Sequence, residues 1–205
     1  MALVVTQAVS AATKQPNVIV VFIDDLGWTD LGCYGSKFYE TPHIDQLAKQ
    51  GVMFTRAYSS CNVCSPTRAS LMTGKYPQRV GFTSWLNPGK PSGANSAATH
   101  LPASETTIGE AFQQAGYRTG YIGKWHVGSK KIGMPKQHGF DWQMATAKHG
   151  LPGSYFHPYK KKGLSTADVP DLEDGKPGDY LTDVLTEKGI GFIRETAKEG
   201  KKPFF

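Results

Sequence analysis

Val18 to Ile23 is an unbroken run of β-branched and aromatic residues, closed off by Pro16-Asn17 before it and Asp24-Asp25 after it. A strand with one face in water alternates apolar and polar residues. A continuous apolar run needs cover on both faces, the situation of a strand inside a parallel sheet flanked by helices. The rest of the chain alternates in the same sense. Thr41-Pro42 opens a helix that carries Ile44, Leu47 and Ala48 on one face and stops at Gly51. Val52 to Tyr58 reads as the next strand. A helix follows at Cys64, with Ser65 as its N-cap, Pro66 as its first residue, Leu71 and Met72 facing a core, and Gly74 ending it. Thr107 and Glu110 have the spacing of a capping box, ahead of an apolar stripe (Ile108, Ala111, Phe112, Ala115) that ends at Gly116. Tyr117 to Ile122 returns as a strand, Leu181, Val184, Leu185, Phe192 and Ile193 mark a final helix, and Pro203-Phe204-Phe205 begins another strand. The expected fold class is α/β, with a mostly parallel sheet flanked by helices.

Two segments break this rhythm. Residues 83–104 are rich in Ser, Gly, Pro, Asn and Ala and read as a surface loop. Residues 128–180 are dense in Gly, Pro, His and Lys with little periodicity. A stretch that long and irregular is unusual in a compact domain unless it has a function, and here it is expected to face substrate. With 39% hydrophobic and 20% charged residues, the chain is neither a disordered polymer nor a membrane bundle, and no stretch is long and apolar enough to span a bilayer. The formal charge of +6 alone would allow nucleic acid, an acidic polymer or a small anion as partner. The basic runs, Lys160 to Lys162 and Lys201-Lys202, are short and carry no interleaved aromatics, so they read as solvated faces and nucleic acid is not expected. Residues 1–15 read as a remnant export signal or as a disordered N-terminus. Residues 3–12 are small and apolar and Val9-Ser10-Ala11 resembles a cleavage site, yet no Lys or Arg precedes them. The first alternative makes the protein periplasmic or secreted, and the second leaves it cytoplasmic.

The residues with chemical potential gather at the ends of the expected strands. Cys64 lies at the start of its helix, near the positive end of the dipole and free backbone N–H groups, with Arg68 one turn on. That environment suits an anion and a group that carries negative charge while it reacts. Asp24 and Asp25 follow the first strand, at the edge where open α/β sheets bind ligands. Paired carboxylates suit a hard divalent cation, provided that the backbone turns there, as Leu26-Gly27 permits. Taken alone, such a pair is more often an ordinary solvated turn. Lys124-Trp125-His126 follows the strand ending near Ile122 and opens on the same edge. Lys124 could hold an anionic oxygen and His126, with an ordinary pKa near ~6.5, could pass a proton; the plain alternative is a surface Lys beside a structural His. Cys61 and Cys64 also form a C-x-x-C pair, open to redox or zinc chemistry, although no second ligand pair stands out and three cysteines make no disulfide framework.

Taken together, these blocks resemble the type I, formylglycine-dependent sulfatases of the alkaline phosphatase superfamily. The resemblance is carried by Cys64-Ser65-Pro66-Thr67-Arg68 with Leu71-Met72-Thr73-Gly74-Lys75-Tyr76-Pro77, and by Asp24-Asp25-Leu26-Gly27-Trp28 with Asp30-Leu31-Gly32-Cys33-Tyr34-Gly35. It continues in Thr41-Pro42-His43-Ile44-Asp45, Gly51-Val52-Met53-Phe54-Thr55 and Gly123-Lys124-Trp125-His126-Val127-Gly128, in order from about Pro16 to Phe205. It implies residues 16–205 as the N-terminal part of a sulfatase catalytic domain.

The resemblance further implies that Cys64, not Cys61, is oxidised to formylglycine, because only Cys64 has Pro and Arg at the offsets of C-x-P-x-R. A formylglycine-generating enzyme or an anaerobic sulfatase-maturating enzyme would be the partner. The hydrated aldehyde carries two hydroxyls on one carbon: one attacks the sulfur of a sulfate ester, and loss of the other's proton re-forms the aldehyde and expels sulfate. Asp24, Asp25 and residue 64 would contact Ca²⁺ (with Mg²⁺ second), Arg68 would brace the formylglycine and the metal carboxylates, Lys124 would bind sulfate, and His126 would take the proton. The family completes its site with later residues that this chain does not contain, so these 205 residues alone are expected to be inactive and to leave the sheet unfinished. The expected activity is hydrolysis of a sulfate ester on a small molecule or a carbohydrate. The alternatives are a phosphonate monoester or phosphodiester hydrolase of the same superfamily, and a non-catalytic anion- or glycan-binding homologue with unmodified Cys64.

Overall fold

The computed structural model describes residues 15–87, 98–129, 132–146, 150–160 and 169–205. The expected N-terminal signal, apart from Gln15, lies outside them, as do parts of the 83–104 loop and the 128–180 excursion.

Among the described residues, four α-helices and two paired strands form the frame: α1 (Pro42–Gln50), α2 (Cys64–Thr73), α3 (Ile108–Gln114), β1 (Gly120–Ile122), β2 (Trp142–Met144) and α4 (Leu181–Glu199). β1 and β2 run parallel, with Gly120 opposite Trp142, Tyr121 opposite Gln143 and Ile122 opposite Met144. On the other side of β1, Phe204 forms a parallel bridge with Arg118, and the Gly120 N–H donates to the Phe205 carbonyl at 2.8 Å. The Val18 N–H in turn donates to the Phe204 carbonyl at 2.9 Å, so the Phe204-Phe205 backbone lies between Val18 and the β1 edge. This is the expected α/β arrangement.

Local signals decide the helix ends. The capping box at α3 forms as read: the Glu110 N–H donates to Thr107 Oγ1 at 3.2 Å and the Thr107 N–H to the Glu110 carboxylate at 2.8 Å. Gly74 closes α2 at φ +67°, where a left-handed residue without Cβ is unstrained. The start of α2 differs from the reading. Its N-cap is Val63, Cys64 is its first residue, and Ser65 lies inside the first turn. The Ser65 hydroxyl does not cap because it is committed to two other backbone groups, described below.

The main core packs α2 (Ala69, Met72) against Val80, Phe82, Leu86, Leu101, Trp125, Val127 and Phe140. A second cluster joins Ala145, Tyr159 and Leu172 to Leu181 at the start of α4. The segment Val18 to Ile23 does not enter either core. It is extended, but among the described residues it makes no strand ladder, and Val21 is 78% exposed. Val52, Met53 and Phe54 are likewise exposed rather than a strand, and the Leu47 face of α1 is open. Apolar composition supplies the demand for cover but not the cover itself, which must come from neighbouring segments. Along this edge, an apolar groove of about 290 Å³ runs past Val18, Ile19, Phe22, Ile122 and Phe205, and its polar end is formed by Asp24, Arg68 and Lys124.

Candidate active site

α2 carries two site residues one turn apart. Cys64 is at its N-terminus, and Arg68 is 4% exposed on its inner face. From there Arg68 reaches across to the two strand ends. One guanidinium nitrogen donates to Asp24 Oδ1 at 3.1 Å, and the other donates to the Lys124 carbonyl and to the Tyr121 hydroxyl at 3.3 Å. Its plane stands 4.9 Å over the Phe22 ring, a cation–π contact. The Tyr121 hydroxyl donates to the same Lys124 carbonyl at 2.6 Å. Lys124 Nζ forms an ion pair with Asp24 Oδ2. Partial burial alone would raise the Asp24 carboxyl, but the hydrogen bonds and charges of Lys124 and Arg68 outweigh it and hold that group below the usual carboxylate range.

The turn after β1 brings the second half of the site. Gly123 leaves the strand at φ +89°, and His126 itself has φ +55°. Asp25 likewise sits at φ +57°. A left-handed non-glycine residue is uncommon, and these two, after the Val18–Ile23 segment and after β1, mark backbone that the surroundings hold in place. His126 is 4% exposed, and its Nδ1 lies 3.2 Å from Cys64 Sγ, 62 residues away in sequence. Its Nε2 is 2.9 Å from the Leu86 carbonyl. A carbonyl can only accept, so Nε2 bears the hydrogen and Nδ1 offers a lone pair to residue 64. Burial, reinforced by the neighbouring Lys124 charge, lowers the His126 pKa to about 4, so the ring is neutral at physiological pH.

The structure thus brings Cys64, Arg68, Lys124, His126 and Asp24 into one connected cluster. Asp25 adjoins it but is exposed and makes no ion pair among the described residues. The three cysteines are free thiols, so Cys61 and Cys64 form no disulfide.

A sulfatase family model matches residues 16–205, nearly the whole chain. This chain belongs to the sulfatase family. It is 33% identical to human N-acetylgalactosamine-6-sulfatase over 96% of its own length and 39% of that protein, and 39% identical to human steryl-sulfatase over 86% of its own length and 28% of that one. Among solved structures it resembles Ps i-CgsB at a TM-score of 0.74 with 34% identity, covering 94% of this chain and 44% of that one. The PsFucS1 sulfatase from Pseudoalteromonas sp. gives a TM-score of 0.68 with 30% identity. The chain therefore spans less than half the length of these proteins.

Asp24 and Asp25 are hard oxygen donors at one corner, the right kind for Ca²⁺. Both oxygens of Asp24 are already held by Arg68 and Lys124, and no group of three or more His, Cys, Asp or Glu side chains fit for a metal occurs among the described residues. The donor set is right in kind and short in number.

Several residues that hold this cluster together were not assigned to it from the sequence. Ser65, Leu86 and Tyr121 hold His126 and Arg68 through the contacts above or below, and Gly150 lies so close that a Cβ there would be 2.7 Å from His126 Cε1. Ser65 stood inside a recognised block and Tyr121 inside an expected strand, and their type was a usable signal. Leu86 acts through its backbone, and nothing in a side-chain pattern marks it.

Proposed function

We propose that the protein carrying this chain is a sulfuric ester hydrolase that cleaves a sulfate ester to an alcohol and inorganic sulfate, with Cys64 matured to formylglycine. The observation that carries this reading is the pairing of Cys64, at a helix N-terminus, with the bare Nδ1 of a buried neutral His126 at 3.2 Å. The aldehyde hydrate at position 64 would supply a nucleophilic hydroxyl and a second hydroxyl whose deprotonation releases sulfate.

The chain's own residues do the rest. His126 Nδ1 accepts a proton from the residue 64 side chain, and its low pKa keeps that lone pair free at neutral pH. Lys124, released in part from Asp24, binds a sulfate oxygen and offsets its charge. Arg68 ties α2 to the Lys124 carbonyl and to Asp24, so that nucleophile, anion site and carboxylate move as one body. Asp24 and Asp25 would contribute two oxygen ligands to Ca²⁺, with Mg²⁺ the poorer match, and the remaining ligands would come from outside this chain. Such a cation would add positive charge against the sulfate oxygens.

Sulfated carbohydrates are the substrate class we favour. The sulfatase relatives include an N-acetylgalactosamine-6-sulfatase, and Ps i-CgsB was also solved in complex with k-i-k-neocarrahexaose. The maturation partner would be a formylglycine-generating or anaerobic sulfatase-maturating enzyme, and export to the periplasm or beyond goes with this substrate. The test is an assay of the full-length protein on paired sulfate and phosphate esters of the same alcohol. Turnover of the sulfate ester supports the reading, and turnover of phosphodiesters without sulfates overturns it.

A further inference from the structure

The hydroxyl of Ser65 belongs to a closed circuit. It accepts the Leu86 N–H at 2.8 Å and donates to the His126 carbonyl at 2.8 Å. His126 Nε2–H donates at 2.9 Å to the carbonyl of the same Leu86. Each of the three residues donates once and accepts once, and all three are buried, Ser65 at 0% exposure. We propose that Ser65 is a positioning residue that fixes the backbone and ring of His126, through Leu86, so that Nδ1 faces the side chain of residue 64.

Three features favour this over a merely structural serine. First, Ser65 is covalently next to Cys64, so the circuit ties the backbone of the nucleophile to that of its base. Second, both polar groups of Leu86 are in use, and the Leu86 carbonyl decides which ring nitrogen of His126 keeps a hydrogen. Third, His126 has φ +55°, and the Ser65 hydrogen bond to its carbonyl restrains a backbone that would otherwise relax. A hydroxyl at this place in a first helical turn would ordinarily bond within its own helix end. Here it reaches across to two other segments instead. The proposal rests on the reading of His126 as the base for residue 64.

The test uses the full-length matured protein labelled with ¹⁵N-histidine. Long-range ¹H–¹⁵N correlation at neutral pH, with His126→Gln to assign the signal, should show hydrogen on Nε2 and none on Nδ1. Ser65→Ala should scramble that tautomer and lower kcat by about tenfold or more at little change in KM, because a displaced base costs rate rather than binding. The kcat is scaled to the fraction of residue 64 converted, read by mass spectrometry, since Ser65 lies within the maturation motif. Ser65→Thr, which keeps the hydroxyl, should recover most of the loss. A wild-type His126 with hydrogen on Nδ1 overturns the proposal. So does Ser65→Ala with wild-type tautomer and kcat, or a folded Ser65→Thr as slow as Ser65→Ala. If Ser65→Ala does not fold, the wild-type tautomer and Ser65→Thr decide. A wild-type protein that cleaves no sulfate ester sinks the functional reading instead, and the tautomer measurement still judges Ser65.

Discussion

At the scale of single residues, His126 is held from several sides. Its ring is gripped by Leu86 on one nitrogen, faces Cys64 with the other, and is covered by Gly150. Gly150→Ala would put a methyl 2.7 Å from His126 Cε1, too close to be borne without a shift, and a shift of the ring pulls it from Leu86 and from residue 64. We expect this variant in the full-length enzyme to lose about tenfold or more in kcat while unfolding within a few degrees of wild type; unchanged kcat would show that the ring has room to move. A second histidine tests burial rather than chemistry. His138 is buried, and burial lowers its pKa below 6.5, with Glu110 and the Leu101 backbone opposing and His100 reinforcing the shift. The unfolded chain therefore takes up a proton that the folded one resists. Stability from this group is complete above pH 6.5 and is lost as pH falls below it. The drop in Tm between pH 7.5 and pH 5 should be smaller in His138→Gln than in wild type, and an equal drop would remove His138 from the account.

At the scale of elements, legibility followed the range of the interaction. The α3 cap was readable because Thr107 and Glu110 are three residues apart and satisfy each other. Thr107→Ala should cost about 1 kcal/mol for the lost cap, and more because its hydroxyl also donates to the buried His138 carbonyl. A denaturant midpoint equal to wild type would contradict that estimate. The N-terminus of α2 was read one step wrong, since Ser65 answers to Leu86 and His126 rather than to its own helix, and no local pattern reports partners 21 and 61 residues away. The site followed the same rule. The sequence put Asp24, Asp25, Lys124 and His126 on one sheet edge; the structure gathers Asp24, Lys124 and His126 with Cys64 and Arg68, and leaves Asp25 exposed beside them. Their pairings did not follow from that placement: Arg68 with Lys124 and Asp24, His126 with Leu86.

At the scale of the whole molecule, the apolar run that best indicated the fold class is itself largely exposed. Val18 to Ile23 and the groove beside it leave apolar backbone edge and side chains open to water, which favours association through unpaired strand edges. These 205 residues prepared by themselves should bind a hydrophobic dye and elute above monomer size. Val21→Lys, at a position 78% exposed, should reduce both without lowering Tm. A monomeric chain that binds no dye would mean that the edge is covered in solution.

The most direct measurement is the mass of the peptide containing residue 64, taken from full-length protein whose sulfatase activity has been measured in the same sample. The account predicts a peptide about 18 Da lighter than the cysteine form, with activity proportional to the converted fraction and none in Cys64→Ala. An unconverted thiol at position 64 in a preparation that cleaves sulfate esters at full rate would contradict it.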